Sequence, residues 1–493
     1  MFYDSASAVY SLKVFKPEYS SLSIREFNNG QKITTFAPNS YQSVMNRTIK
    51  LRKGLEIPLK GAAADIVTDA RTLVSEVGVC PPDFIGFTPR LVVAEGDSVE
   101  VGTPLFADKH NEALKITAPV SGKVTAVVRG ERRRLLCVKI ESDGQFRSTD
   151  FGGPLAAGCS AADVVALMNA SGLAAIVRQR PYDTVPDTSV APRDIFVSMF
   201  SKMPLAADVN IVLRGREDFF RAGIKVLSKI APVYIGIAKE QEEMFAATEG
   251  AETVVFDGPN PSGNVSVQIN NIKPVNKGET VWTLAPEPVA ILGKLATTGC
   301  LDFTHRIALA GSEIVSPQYY DTVYGAQISP LLQNQLKHEE HIRIINGNPL
   351  VGEKTTKDGF LAPRAGEITV IPEGDNTDEM LGWISPRLGQ FSTSHSYLSW
   401  LMPRRSYNID ARIKGGERHM IMSGEYDKVL PMDIYGEYLV KAIIARDIDK
   451  MEQLGIYEVA PEDFAVAEFV DSSKLELQKI VREGLDFLRK ELS

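Results

Sequence analysis

The sequence predicts a multidomain protein that combines β and α/β domains. A chain of 493 residues is too long for a single hydrophobic core. Its residue pattern also changes along the chain, from short β-branched runs between glycine turns, to strands alternating with helices, back to strands and finally to helices. The four predicted domains cover residues 46–146, 147–300, 301–375 and 376–493.

Residues 1–45 fall outside these four domains. They are rich in serine, asparagine and tyrosine, and the first coherent strand pattern is Thr48–Leu51. They also lack the basic and apolar pattern of a signal peptide. We expect a poorly ordered extension or a mis-assigned start, with Met45 as the biological start.

The first domain is predicted from two glycine-punctuated segments. Val93–Phe106 has the sequence VAEGDSVEVGTPLF, and Ala118–Val124 has APVSGKV. Glycines at such turn positions reach conformations that cost other residues free energy. The pattern is typical of a biotinyl/lipoyl-like β-sandwich, which we expect to open with an edge strand at Lys53–Gly61. The hairpin around Lys109 lacks the Met-Lys-Met sequence of a biotin carrier, so we expect a structural relic; a carrier module using Lys109 is the alternative.

The second domain is predicted to be a doubly wound, Rossmann-like α/β sheet. The predicted strands are Asp194–Met199, Val209–Leu213, Val233–Ile237 and Thr253–Phe256, and the predicted helices are Ala161–Met168, with Ser160 as its N-cap, and Asp218–Leu227. The domain lacks a phosphate loop. Gly258 and Gly263 have Walker spacing, but Asn264 replaces the lysine. We expect a plain turn there, followed by a strand at Val265–Ile269.

The third and fourth domains are predicted from returning strands and then helices. The third is expected to be a β-grasp (SLBB-like) domain, with strands at Arg306–Gly311, Tyr319–Thr322, His341–Gly347 and Glu367–Ile371 and a helix at Gln327–Leu336. In the fourth, Tyr435–Ala445 and Leu475–Leu492 have apolar residues at helical spacing. Pro431 and Pro461 lie where we expect helices to begin.

Composition and motifs exclude several function classes. The net charge of −8 argues against nucleic acid as the main partner, and no apolar stretch is long enough to span a membrane. His338 and His341 lack the spacing of a metal motif. The run Arg132–Arg134 is expected to be a solvated turn, with docking to an acidic partner as the alternative. We predict no catalytic, cofactor-binding or metal-ligating residue.

The cysteines are dispersed, at positions 80, 137, 159 and 300. This spacing excludes a Cys-x-x-Cys pair and a local iron–sulfur run. We expect buried free thiols in a reducing cytoplasm.

Seven short segments carry a resemblance to a known family. They are Lys53–Gly61 (KGLEIPLKG), Ile116–Gly122 (ITAPVSG), Arg178–Tyr182 (RQRPY), Pro204–Asp208 (PLAAD), Ile291–Leu295 (ILGKL), Arg306–Gly311 (RIALAG) and Gly382–Pro386 (GWISP). Together, and in this order, they resemble the A subunit of the bacterial Na⁺-translocating NADH:quinone oxidoreductases. In architecture that family is related to the C subunit of the Rnf complex and to the flavoprotein subunit of complex I.

The resemblance implies an accessory subunit of a respiratory translocase, without catalytic activity of its own. It implies a position on the cytoplasmic face of the inner membrane, through the five partners in a complex of six subunits and chiefly through the membrane-embedded B subunit. The complex moves electrons from NADH to quinone and exports Na⁺. FAD, FMN, riboflavin and iron–sulfur clusters are expected on the other subunits. An Rnf-type electron-transfer subunit is the alternative, but it requires clustered cysteines.

The family is associated with quinone binding near this subunit. A quinone site needs an apolar slot and a few hydrogen-bond donors. Two segments offer them: the proline-stiffened loop with Phe84 and Phe87, and the segment with Arg178, Arg180 and Tyr182. These five residues are the candidates for a quinone site or a partner interface, and the alternative is that they are core aromatics and surface arginines.

Overall fold

The computed structural model describes residues 47–245, 248–375, 389–394, 397–402 and 404–492. The predicted extension at 1–45 and the segment Gly382–Pro386 lie outside these described residues. None of the helices in the described ranges is both long and apolar enough to cross a bilayer.

The first strand, β1 (Arg47–Lys50), belongs to the α/β sheet. It pairs in parallel with Ala251–Asp257, which corrects the predicted placement of Thr48–Leu51 in the first domain. A four-residue run can favour strand geometry, but long-range packing selects its partner. Here Ile49 packs against the buried cluster that contains Phe256.

The second strand, β2 (Ala64–Asp69), is an edge strand of the third domain's sheet, where it pairs in parallel with Gln318–Val323. Between β1 and β2, the segment Lys53–Gly61 forms no regular strand, contrary to the prediction. Its one β-bridge joins Leu59 to Tyr407. Both of its glycines adopt positive φ, which interrupts an extended backbone.

Two small antiparallel sheets form the first domain. Their strands are β3 (Glu76–Val79), β4 (Pro89–Leu91), β5 (Ser98–Val99), β6 (Pro104–Asp108), β7 (Lys115–Thr117), β8 (Gly122–Arg129) and β9 (Leu135–Ser142). The sheet orders are β3-β9-β8-β5 and β4-β6-β7. Gly122 has φ +158°, and a Cβ there would lie 1.9 Å from the carbonyl oxygen of Glu141. The close approach of β8 to β9 at this position therefore requires glycine.

The second domain is an α/β sheet with helices between its strands. Its elements are α1 (Ala161–Ser171), β10 (Arg178–Arg180), β11 (Asp194–Ser198), α2 (Val209–Leu213), α3 (Glu217–Leu227), β12 (Val233–Ala238), α4 (Glu242–Phe245), β13 (Ala251–Asp257), α5 (Val265–Ile272), β14 (Val281–Leu284) and α6 (Pro286–Thr298). The order is β1-β13-β12-β11-β14-β10, and only β10 runs antiparallel to its neighbour. Ser160 caps α1 in a capping box with Asp163, as predicted for the N-cap.

Two predicted strands of this domain are helices. Val209–Leu213 forms α2, because Asp208 caps it by accepting a hydrogen bond from the Asn210 backbone N–H. Val265–Ile269 lies in α5. Its alternating apolar residues predict a strand, but both faces of the segment are buried, so the alternation does not mark one exposed face.

The third domain is a mixed sheet around one short helix. It contains β15 (Thr304–Ala310), β16 (Gln318–Val323), α7 (Ser329–Leu332), β17 (Ile342–Asn346), β18 (Glu353–Thr355) and β19 (Glu367–Pro372). The order is β18-β17-β19-β15-β16-β2. The helix predicted over Gln327–Leu336 is a single turn, which ends before Asn334 adopts positive φ.

The fourth domain is helical and has its own core. Its helices are α8 (Tyr426–Val429), α9 (Gly436–Ala445), α10 (Ile448–Gln453), α11 (Ala465–Val470) and α12 (Leu477–Leu492). The two predicted helices correspond to α9 and α12. Pro461 begins a 3-10 turn directly before α11, whereas Pro431 follows α8. The core of this domain also includes Val267 of α5, so it packs against the second domain.

Candidate functional site

A cleft opens where the first three domains meet. Its cavity volume is about 40 Å³, and the empty space reaches about 430 Å³ only when the part open to solvent is counted. Its wall is mainly apolar, with residues from all three domains, among them Phe84, Ile116, Ile176, Phe303 and Tyr324. Small-molecule sites are typically apolar with a few polar groups, and the wall of this cleft has that character.

Phe84 and Phe87 are positioned by the 3-10 turn at residues 81–83. Phe84 donates its backbone N–H to the Pro81 carbonyl, and Phe87 donates to the Phe84 carbonyl. Both rings are buried, at 7% and 8% exposure. Both rings pack in the main core, and of the two only Phe84 also lines the cleft. The structure therefore separates two residues that the sequence made equivalent candidates.

Asp83 is the carboxylate of the cleft. Burial, reinforced by the nearby Glu353 charge, raises the pKa of Asp83 to about 6, and Arg178 opposes this increase. A carboxyl group with this pKa holds and releases protons close to neutral pH.

A buried polar network lies behind the part of the cleft lined by Tyr324, which we call the Tyr324 wall. The Tyr324 hydroxyl donates to the Glu287 carboxylate at 3.3 Å, and the His305 ring stacks on the Tyr324 ring. Glu287 also receives the Arg306 backbone N–H at 2.8 Å and Arg216 Nη1 at 2.9 Å. The network therefore joins the start of α6 to the third domain.

Glu287 is charged within this network. Burial disfavours its charged form, but His305 and Arg216 outweigh burial and keep the pKa of Glu287 below its usual value. His305 Nδ1 lies 2.5 Å from the Glu287 carboxylate, and its Nε2 lies 2.9 Å from the Ala365 carbonyl oxygen. Burial raises the pKa of Tyr324 well above its usual value, so its hydroxyl stays a donor.

Arg178 and Arg180 are buried, each with 4% exposure, and are not the surface arginines of the alternative interpretation. Arg180 pairs with Asp183 at 3.1 Å and with Glu462 at 3.2 Å. Arg178 Nη1 donates to the Asp183 backbone carbonyl. Burial disfavours the charged form of Asp183, but Arg180 and Arg178 outweigh burial and hold the pKa of Asp183 well below its usual range.

This ionic cluster fastens the fourth domain to the second. Arg482 of α12 donates to the Tyr182 carbonyl at 2.8 Å and to the Asp183 carbonyl at 3.4 Å. The Tyr182 side chain packs against the core of the fourth domain. Tyr182 and Arg180 therefore lie at a domain junction, where we assign them an anchoring role. Neither of them lines the cleft.

The loop after β13 carries the two glycines with Walker spacing and leads into α5. Asn260 and Ser262 are fully buried in it. A Cβ on Gly263 would lie 2.7 Å from the Phe200 carbonyl oxygen, so another segment already occupies this space. Asn264 donates its side-chain amide to Asp463 at 3.1 Å. The fourth domain therefore covers the start of α5.

The hairpin that would carry a cofactor in a biotinyl domain is fixed at its base. The Lys109 backbone N–H donates to the Thr88 carbonyl at 2.9 Å. The buried Asp108 carboxylate accepts three backbone N–H groups, including that of Thr88 at 2.6 Å. Asn111 donates to Thr188 at 3.0 Å. These bonds hold the hairpin against the second domain.

The remaining charged candidates are on the surface. His338 and His341 are exposed and contact Glu313 at 3.7 Å and Asp375 at 3.0 Å, respectively. Across the described residues, no group of three His, Cys, Asp or Glu side chains is arranged to hold a metal ion. The run Arg132–Arg134 is exposed in the β8–β9 hairpin.

The sequence could not identify one contact. Cys80 and Cys137 are far apart in the chain, yet their sulfur atoms lie 3.0 Å apart. Cys80 lines the cleft.

The architecture defines a class of protein: a barrel-sandwich, an α/β domain whose glycine loop at residues 258–264 is buried, and a third β domain, joined around an apolar cleft. Three family models match this chain. They are described as the NqrA N-terminal barrel-sandwich hybrid domain (residues 49–143), the NqrA second alpha/beta domain (159–301) and the NQRA C-terminal domain (306–357).

Curated relatives match almost from end to end. A protein of Rhodopirellula baltica is 32% identical over 90% of this chain and 98% of its own length. Proteins of Neisseria meningitidis and Pasteurella multocida are 32% and 33% identical over 90% of this chain and 100% of their own lengths. All three are named as the A subunit of the Na(+)-translocating NADH-quinone reductase. The chain belongs to this NqrA family, and the resemblance inferred from the seven segments is confirmed.

Proposed function

We propose that this chain is an accessory subunit that supports quinone reduction coupled to Na⁺ export, in a complex of six subunits at the cytoplasmic face of the bacterial inner membrane. The observation that carries this proposal is the match, over nearly their whole length, to relatives named as the A subunit of the Na(+)-translocating NADH-quinone reductase. The chain would join five partner subunits, chiefly the membrane-embedded B subunit. Detergent-solubilised membranes provide the test, because the tagged chain should co-purify with a membrane complex that has Na⁺-dependent NADH:quinone reductase activity.

We also infer the finer fold names. The parallel sheet with alternating helices supports a Rossmann-like second domain. The mixed sheet around α7 supports an SLBB-like β-grasp as the third domain. We propose domain boundaries near residues 146, 300 and 375. Two strands before residue 146 lie outside the first domain: β1 belongs to the sheet of the second domain and β2 to that of the third.

No redox cofactor is expected on this chain. The loop at residues 258–264, which has Walker glycine spacing, is buried and leaves no space for a phosphate, which supports this proposal. FAD, FMN, riboflavin and the iron–sulfur clusters would then reside on partner subunits. A purified chain with stoichiometric flavin or iron would contradict the proposal.

Quinone is proposed to contact this chain at the cleft. The aromatic wall of Phe84, Phe303 and Tyr324 offers an apolar surface, open to solvent, against which the ring can pack. Asp83 on the same wall can donate a hydrogen bond to a quinone oxygen when its carboxyl group is protonated, whereas the Thr117 hydroxyl already donates to the Ser171 carbonyl. Of the five residues predicted from the sequence, Phe84 alone lines this cleft.

The decisive variant is Phe84→Ala in the assembled complex. Removing a buried aromatic wall costs about 1.5–3 kcal/mol of apolar contact, so the KM for quinone should rise about 10-fold or more. Phe84→Leu should restore most of the affinity. Phe87→Ala is the matched control, which should lower stability but leave the KM for quinone unchanged. An unchanged KM in a folded Phe84→Ala complex would rule out this site.

A further inference from the structure

Strand pairing brings two distant cysteines face to face. β3 pairs antiparallel with β9 through Gly78 opposite Lys139 and Val79 opposite Val138. The next position of this register places Cys80 opposite Cys137. Directly opposite residues of an antiparallel pair have Cβ atoms about 4.5–5.5 Å apart, close to the separation of about 3.5–4.5 Å that a disulfide needs.

The side chains complete this arrangement. Cys80 Sγ lies 3.0 Å from Cys137 Sγ, and both are free thiols. Cys137 is buried, whereas Cys80 is partly exposed and lines the cleft. One thiol of the pair is therefore accessible to a small reagent in the cleft, and the other lies directly behind it.

We propose that Cys80 and Cys137 are a redox modification site at which hydrogen peroxide produces a reversible cross-strand disulfide. The Cys80 sulfur attacks one peroxide oxygen, the O–O bond breaks, and water leaves, which produces a sulfenic acid. The Cys137 sulfur then attacks the Cys80 sulfur, the S–O bond breaks, and a second water leaves. Overall, the two thiols lose two electrons and two protons, and one peroxide becomes two waters.

The surroundings determine how this pair reacts. The hydrogen bond with Cys137, together with burial, raises the pKa of the Cys80 thiol, so its thiolate is scarce and oxidation is slow. Once the sulfenic acid forms, the adjacent Cys137 resolves it without a large movement. A two-thiol reductant reverses the disulfide by exchange.

The disulfide would also fix one wall of the cleft. Cys80 is the residue before the 3-10 turn that carries Asp83 and leads into Phe84. Linking Cys80 to β9 ties this turn to the centre of the sandwich. The disulfide itself requires no quinone in the cleft, so its formation can be tested separately from the quinone site.

The test uses the purified full-length chain, treated with hydrogen peroxide and then alkylated. Peptide mapping by mass spectrometry should find a Cys80–Cys137 cross-linked peptide that dithiothreitol removes. Cys80→Ser and Cys137→Ser should each abolish it, while Cys300→Ser, at an exposed position, should leave its yield unchanged. In Cys137→Ser, which lacks the resolving thiol, a dimedone probe should trap the sulfenic acid on Cys80.

Two results would overturn the proposal. One is peroxide consumption with Cys80 and Cys137 both recovered as alkylated thiols at completion. The other is a disulfide of either residue with Cys159 or Cys300 as the main product.

Discussion

The cleft and the loop at residues 258–264, which has the glycine spacing of a Walker motif, differ in access. The loop follows a parallel strand and precedes a helix, yet its side chains are buried and the fourth domain covers it. The cleft remains open and mainly apolar. The loop therefore offers no space for a pyrophosphate, whereas the cleft keeps an apolar wall open to solvent.

The largest expected effect concerns the support of the cleft. Glu287→Ala leaves Arg216 and His305 without their buried carboxylate, which typically costs about 3–5 kcal/mol. The free energy of unfolding, measured in urea, should fall by this amount. Glu112→Ala is the control, because it removes an exposed partner of Arg90 and should cost less than about 1 kcal/mol. Equal losses in the two variants would show that the Tyr324 wall of the cleft does not depend on the Glu287 network for its stability.

A smaller effect is expected from the buried carboxyl group of Asp83 in the cleft. Because the pKa of Asp83 is raised to about 6, the native state binds this proton more tightly than the unfolded chain does. The contribution of Asp83 to stability therefore falls as pH rises from about 4 to 6. Asp83→Asn should stabilise the chain by about 1–2 kcal/mol at pH 8 and not at pH 4.

The matched control for this variant is Asp358→Asn at an exposed position. Its unfolding free energy should follow wild type across the same pH range. A wild-type pH profile for Asp83→Asn would show that Asp83 is not desolvated in the cleft.

The smallest expected effect concerns the filled loop. Asn264→Ala removes the hydrogen bonds to Asp463 and to the Glu462 carbonyl, which should cost about 1 kcal/mol of stability. Neither wild type nor this variant should bind NADH or ATP in equilibrium dialysis. Saturable nucleotide binding by either protein would contradict the difference in access between the cleft and the loop, because the loop would then be accessible.

Local signals in the sequence predicted much of the fold. Ser160, with Asp163 three residues later, marked the start of α1, and the apolar stripe of α12 marked a helix packed on one side. The glycine turns marked the sandwich. These features depend on neighbouring residues, which is why a single sequence was sufficient.

Some errors concern features that depend on distant residues, whereas the α2 error missed a local signal, the Asp208 cap. The partner of β1 is a strand of the second domain. The apolar residues of α5 alternate as they would in a strand, but the fourth domain packs against this helix, so the alternation does not mark one buried and one exposed face. The site shares this limit. Arg180 is paired with Glu462, a residue that no local pattern connects to it, and Cys80 meets Cys137 only through strand register. Phe84 and Phe87 became distinguishable only when the cleft was located.

Equilibrium binding of a short-chain quinone to the purified chain tests the central claim most directly. The account predicts one saturable site, weakened about 10-fold or more by Phe84→Ala and unchanged by Phe87→Ala. Saturable binding that is insensitive to Phe84→Ala, or no binding at all, would contradict it.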